Sequence, residues 1–392
     1  MLGHDFLALY YGGTCARTGH YEQLYDLAAT RAFEFRTVSA SGLSLGTDFG
    51  PWWNPPFAAW LFAPFSALPY LSALHAWWFF CAVCLVVSMM LLCGMLGGTW
   101  KTRGLIPLLM LISMPCIEAF SHGQNTCFSL LLLTTTVWLW RNDRPVLAGI
   151  VCGLLFYKPQ LGAVIAAVLC LHQGRRALLG VGMTVAGLAL VTVLAMPGTL
   201  HEFVYRMPLN LRWIQEQNVY RWEWHVTLKS FWRHMIQGDA VGPTATATRV
   251  LWGLSEFALF TGLSRVVLKS MGRRNSRPQR DRLIAATIFA MPLLMPFYFD
   301  YDLLLLSVGI VVYAADFQNS HVAESAASGE DRWLVRIFTL IFLVTMFWKF
   351  AFNPVVPLLT AGAVLLIRRG LRPAENSEAA RQPQSFYPSL AA

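Results

Sequence analysis

The sequence predicts an all-α protein, a polytopic bundle of transmembrane helices, and three observations carry that prediction. Apolar residues make up 56% of the 392 and charged residues 13%, against about 45–50% and about 25% in soluble globular chains. Apolar runs recur at about 74–97, 105–121, 125–140, 146–157, 159–171, 177–197, 250–268, 283–299, 302–316, 333–352 and 354–367, about eleven membrane segments. Fifteen tryptophans and twelve tyrosines are enough to furnish aromatic belts at two membrane interfaces.

Taken in order, residues 1–73 read as a first outer loop that opens MLGHDFLALYYGG. Pro51, Pro55, Pro56 and Pro64 stand among aromatics there, so DFGPWWNPPFAAWLFAPF reads as a turn followed by a short interfacial helix. Membrane helices occupy 74–197. Several runs fall short of the ~20 residues that a perpendicular span needs, so some are broken or buried within the bundle. Residues 198–249 form an outer amphipathic loop, and 250–371 return to membrane helices. The tail 372–392 is polar and proline-containing, and is expected to be disordered and cytoplasmic.

Charge sets the topology. KTR at 101–103, RNDR at 141–144, RR at 175–176, KSMGRRNSRPQRDR at 269–282 and RRGLR at 368–372 are short basic loops, the signature of the cytoplasmic side. All of them fall on that side only if the run 146–171 breaks at Lys158-Pro159, so the break is expected. The net charge of +9 is then an orientation signal, and no nucleic-acid partner is expected. Seven of the eight cysteines lie in apolar runs; the CxxC of Cys81 and Cys84 has no second ligand pair, and packing is the simpler role. No basic n-region with an apolar h-region opens the chain, so no cleavable signal is expected.

The polar chemistry therefore gathers on the outer side. Asp5 is either part of a frayed tail or a catalytic base. Trp52 and Trp53 are membrane anchors or sugar-stacking platforms. The turn HGQN at 122–125 follows Glu118 by one helical turn; an acid in an apolar segment points to a polar cavity, although Glu118 and Gln124 could also serve as helix caps. Lys158 snorkels to headgroups or binds a lipid phosphate. WEWHVTLKSFWRH has helical spacing with Trp222, His225, Lys229 and Trp232 near one face. Most of its charges suit an interfacial helix, with His225 singled out as a phosphate or acid/base contact. Asp300 and Asp302 in FYFDYD bind acceptor hydroxyls or pair with a nearby cation.

The order DFxxxYY, NPPFAAWLFAPF, HGQNxxxxLLLL and RPVLAGIVCGLLFYKPQL resembles glycosyltransferase family 87, within the GT-C superfamily that includes polyprenol-phosphate-mannose-dependent mannosyltransferases. The likeness runs from Asp5 to about Arg176 and continues weakly to Arg368. It implies a GT-C type bundle in a bacterial inner membrane. This bundle would move a hexose, most plausibly mannose, from a polyprenyl-phosphate donor to a lipid or glycan acceptor on the periplasmic face. Asp5 is then the general base, Lys158 and His225 attend the donor phosphate, and Tyr10, Tyr11, Trp53, Glu118, Gln124 and Asp300 contact substrate. The resemblance also implies a helix ahead of the aspartate; only four residues precede Asp5, so that first family helix is expected to be missing from this sequence.

The chemistry is self-consistent. A carboxylate can deprotonate the attacking hydroxyl, and cations can stabilise the departing lipid phosphate. With no nucleotide involved, neither a glycine-rich phosphate loop nor a metal-binding DxD is required; Asp300-Tyr301-Asp302 has that spacing but ends a membrane helix. An inverting reaction without metal or cofactor is expected, with membrane lipids as the surroundings. The competing class is a transporter or lipid flippase. It would place ionisable groups near the midplane and often shows repeated halves, and no repeat is visible.

Overall fold

The computed structural model describes residues 3–46, 49–97, 100–218, 220–272, 276–321, 329–344 and 353–372. Among these the fold is helical throughout, with one isolated antiparallel bridge between His225 and Phe299. The amino-terminal layer comprises α1 (Phe6–Thr18), α2 (Leu27–Ala40) and the single-turn α3 (Ala59–Phe62). Then come α4 (Tyr70–Met95), α5 (Trp100–Leu111), α6 (Met114–His122), α7 (Thr126–Arg141), α8 (Pro145–Leu154), α9 (Pro159–Gln173) and α10 (Arg175–Ala195). The excursion 198–249 holds α11 (Thr199–Gln217) and α12 (Leu228–Gln237); α13 (Thr246–Met271), α14 (Arg277–Ala290), α15 (Leu306–His321), α16 (Gly329–Val344) and α17 (Val355–Leu371) complete the chain.

Among the described residues three helices, α4, α10 and α13, are long and apolar enough to cross a membrane, and α5 with α6 makes a fourth candidate bent by 51°. At 1.5 Å per residue the 26 residues of α4 reach about 39 Å, more than the ~30 Å hydrocarbon layer. The expected run 105–121 is thus two helices. Ser113 ends the first, its hydroxyl bonding back to the Met110 carbonyl at 2.7 Å, and Pro115 opens the second. The expected run 283–299 stops as helix at Ala290, because Pro292 and Pro296 cannot continue the ladder. Of the run 333–352, residues 345–352 lie outside the described residues, as do 373–392 of the tail. The expected break at Lys158-Pro159 is present: Lys158 has φ −127° and ψ 85°, and α9 starts on Pro159.

The described residues of 1–73, expected to be loop with a short interfacial helix, instead fold largely as helix packed on the bundle. The YYGG pair explains why α1 can dock. A Cβ on Gly13 would lie 2.5 Å from the Phe62 carbonyl, and one on Gly12 would lie 2.3 Å from the Trp52 ring. Trp52 is accordingly core, edge-on to Phe62 with centroids 6.0 Å apart, and does not offer its face to a ligand. Gly13→Val is expected to push α3 off α1 and cost about 1–3 kcal/mol, read as a lower Tm of the detergent-solubilised protein.

The bundle has two polar ends. One gathers Tyr70, Gly123, Lys158, Asp302 and Asn353. At the other, a helix length away, Arg141 of α7 meets Asp281 of α14 through two 2.9 Å hydrogen bonds and donates to the Met95 carbonyl at 3.2 Å. Arg280 pairs with Asp143, Asp316 accepts from Arg282 at 3.2 Å and from Arg369 at 3.0 Å, and Tyr313 donates to Asp331 at 2.7 Å. The basic clusters at 141–144, 277–282 and 368–372 thus converge on one end. Several of their arginines pair there with buried acids.

Candidate active site

Asp5 stands at the head of α1, and its carboxylate is the centre of a cluster drawn from two distant stretches. Gln124 donates from Nε2 to Asp5 Oδ2 at 2.7 Å, His122 Nδ1 lies 3.5 Å from the same oxygen, and His4 Nε2 lies 3.2 Å from Oδ1. The Asp5 side chain is 27% exposed, open enough to meet a substrate. The backbone makes the cluster rigid. Asp5 N–H donates to the His122 carbonyl at 3.0 Å, and Gly3 N–H donates to that of Ser121 at 2.7 Å. Tryptophan indoles hold the turn from the far side, Trp77 on the Gly123 carbonyl at 3.0 Å and Trp78 on that of Phe120 at 2.8 Å. Gly123 sits at φ +73° and closes α6, a conformation that glycine adopts without strain; it swings Gln124 under Asp5. Burial opposes ionisation of Asp5. The His122 hydrogen bond, the His4 charge and Gln124 outweigh it and hold the carboxyl below its ordinary value.

A second polar group lies alongside. Lys158, 6% exposed, reaches Asp302 Oδ2 at 3.4 Å and lies over the Tyr301 ring at 5.5 Å. Thr126 donates to Asp302 Oδ1 at 2.7 Å. Tyr301 joins the two groups, with the His122 ring edge-on at 5.9 Å. Beyond it the rings continue through Phe299 at 5.2 Å to His225 at 4.2 Å from Phe299. Asp300 accepts from the Tyr301 N–H at 2.8 Å. It sits in a 3-10 turn, Asp300–Leu305, that packs on α6, so Asp300 and Glu118 stand on facing elements. Glu118 is buried, and its Oε2 has no hydrogen-bond partner.

His225 is not on a helix with Trp222, Lys229 and Trp232. Thr227 caps α12 through a reciprocal pair of bonds with Ser230, and the preceding residues are extended. The neighbouring Val226 N–H donates to the Tyr298 carbonyl at 2.8 Å. Asn353 fixes the turn from the start of α17 by donating to the His225 carbonyl at 3.1 Å. The imidazole stacks on Tyr220, whose hydroxyl is 2.6 Å from Nε2. Burial, and then the Lys229 charge, push its pKa down to about 3, so His225 is neutral at physiological pH. It can bind a phosphate oxygen by a hydrogen bond but brings no charge.

Tyr10 and Tyr11 lie on α1 beyond the cluster, with their hydroxyls engaged by backbone, Tyr10 to Leu68 at 2.9 Å and Tyr11 to Gln23 at 2.6 Å. These bonds tie the amino-terminal layer together. Trp53 is half-buried. His4, His122 and Tyr301 enter the site without having been singled out in the sequence, while Asp302, read as a hydroxyl contact or a cation's partner, pairs with Lys158. His122 stood in the HGQN turn.

Glu34 also escaped the sequence reading. It shares the buried face of α2 with Thr30 and Val38 and accepts from the Gly50 N–H at 3.1 Å through Oε2, while Oε1 has no partner. Burial, against that hydrogen bond and with the nearby Asp5 charge, raises its pKa from 4.5 to about 8. A raised carboxyl pKa favours the folded state most where the unfolded chain is also protonated. Stability is therefore expected to fall as pH rises from about 4.5 through about 8, by on the order of 3 kcal/mol. Glu34→Gln is expected to flatten that slope in melts run between those pH values.

An all-helical bundle with several membrane-length apolar helices and a carboxylate-centred polar cluster at one end defines the class as a helical membrane protein with a site at the end of its bundle. The family model of glycosyltransferase family 87 matches residues 52–296, 245 of the 392 residues, and the chain belongs to that family. Glu118, Gln124, Lys158 and His225 lie within the matched stretch, and Asp5 lies ahead of it. No curated protein and no solved structure matches the chain.

Proposed function

We propose that this glycosyltransferase moves a hexose, mannose in this reading, from a polyprenyl-phosphate donor to a lipid or glycan acceptor, with Asp5 as general base. The observation that supports this most is the joining of Asp5 to Gln124 and His122 across more than a hundred residues, beside Lys158 and Tyr301. In this reading the Asp5 carboxylate, aligned by Gln124, takes the proton of the acceptor hydroxyl as its oxygen attacks the anomeric carbon. The bond to the phosphate oxygen breaks on the opposite face, with inversion. The departing phosphate is met by Lys158, which Asp302 holds in place, and by a hydrogen bond from His225. With Tyr220 donating to Nε2, His225 carries its proton on Nδ1, an atom without a partner. Glu118, Asp300 and Trp53 flank the sugar and acceptor.

A groove of about 440 Å³ between α4 and the bent α5–α6 pair suits the isoprenoid tail; Leu85, Met89, Leu111, Ile117 and Phe120 line it. Helix α6 thus turns Ile117 and Phe120 to the groove and ends in His122 at the cluster. The gathering of Asp5, Lys158, Asp300 and Asp302 at one end favours this reading over a transporter, whose charged groups would lie at mid-depth. In the bacterial inner membrane that end would face the periplasm, following the basic clusters at the other end.

The test supplies membranes containing the protein with labelled polyprenyl-phosphate mannose or with labelled nucleotide mannose, the endogenous synthesis of the lipid donor being blocked. Label is expected in lipid or glycan product from the first donor alone. Product formed from the nucleotide sugar under that block would sink the proposal.

A further inference from the structure

The nitrogen and oxygen atoms around Asp5 have the spacing of a metal-ligand set. His4 Nε2 and His122 Nδ1 stand 3.2 Å and 3.5 Å from separate oxygens of Asp5. One ligand atom from each of the three residues lies within 4.8 Å of the others. A tetrahedral zinc ion with bonds of about 2.0–2.1 Å has ligand–ligand edges of about 3.3 Å; with one Asp5 oxygen as ligand, one edge is already near that length at 3.2 Å or 3.5 Å and the other ligand atoms lie within 4.8 Å. Two imidazoles and one carboxylate leave a fourth position for water, as in open zinc sites.

The scaffold is prepared as a ligand set requires. The carbonyls of Ser121 and His122 hold Gly3 and Asp5 in register, so His4 and His122 cannot drift apart without breaking two backbone bonds. Gln124 donates to the Asp5 carboxylate at 2.7 Å, an orienting bond of the kind that supports metal ligands. The side chains are 41%, 27% and 31% exposed for His4, Asp5 and His122, leaving a path from solvent. The other group of possible ligands, Glu223, His234 and Asp239, is looser: His234 is 3.9 Å from an Asp239 that is 72% exposed.

We propose that His4, Asp5 and His122 bind a single Zn²⁺ ion, and that the bound ion inhibits sugar transfer by occupying the carboxylate. The inhibition rests on the reading of Asp5 as base; the binding does not. Zinc takes the Asp5 lone pairs that would accept the acceptor proton, so the reaction stops while the ion is held and resumes when a chelator removes it.

The full chain, purified in detergent and stripped with a chelator, is titrated calorimetrically with zinc chloride. One ion per chain is expected at micromolar or tighter Kd, weakened at least tenfold in His4→Ala and separately in His122→Ala, and unchanged in His234→Ala. Cobalt(II) in place of zinc is expected to give the strong visible bands of tetrahedral coordination in the unsubstituted protein and to lose them in His4→Ala. Transfer is expected to fall over the same zinc range, and the inhibition curve to move at least tenfold upward in His4→Ala. Absence of saturable binding, or affinity in both histidine variants equal to that of the unsubstituted protein, overturns the site and leaves the base reading standing. Zinc that saturates the site without slowing transfer keeps the site and removes both the inhibition and Asp5 as base.

Discussion

Asp5→Asn is expected to reduce sugar transfer at least about a hundredfold, the usual contribution of a positioned general base, with the amount of folded protein unchanged. Asparagine is nearly isosteric, and its carbonyl can still accept from Gln124 Nε2, now 2.7 Å from Asp5 Oδ2. The bond from the residue-5 N–H to the His122 carbonyl does not involve the side chain, so α1 stays docked. What is lost is the ability to take a proton. Gln124→Leu keeps the carboxylate and removes the bond that aims it, so a smaller fall, roughly tenfold, is expected with KM little changed. Transfer by Asp5→Asn at the unsubstituted rate would take Asp5 out of the reaction.

The largest effect on stability is expected at the other end. Arg141→Ala, or Asp281→Ala, strands one charge of a bidentate pair whose side chains are 3% and 1% exposed. Breaking such a pair costs about 3–5 kcal/mol, whereas exchanging both members for apolar residues is often neutral. Either single variant is therefore expected to melt far below the unsubstituted protein, and the double variant Arg141→Met with Asp281→Leu to recover most of the loss. Arg141 also donates to Met95, so the double variant leaves one carbonyl unpaired and recovery falls short of complete. Single variants that melt with the unsubstituted protein would show that the pair does not join α7 to α14.

What could be read from the sequence was local. Proline after Lys158 marks a helix break on its own, and charge in the flanking loops placed it; the structure has the break there. Asp5 and Gln124 each stood out as polar residues beside apolar runs, yet nothing in the spacing of two residues 119 apart says that they touch. The stretch WEWHVTLKSFWRH has helical periodicity, but Trp222–Trp224 make only a 3-10 turn, His225 bridges to Phe299, and the helix begins after the Thr227 cap, because a distant segment overrides local propensity. The basic clusters read as orientation signals since their acidic partners, Asp281, Asp316 and Asp331, come from other helices. Glu34 was silent for a similar reason: one acid in a polar helix carries no sign that it faces inward.

The most direct measurement is the anomeric configuration of the product, read by NMR after incubating the purified protein with β-linked polyprenyl-phosphate mannose and its acceptor lipid fraction. A single carboxylate acting as base on the attacking hydroxyl predicts inversion, and hence an α-mannoside. A β-mannoside would require a covalent intermediate on the protein and would contradict the action of Asp5 as a base.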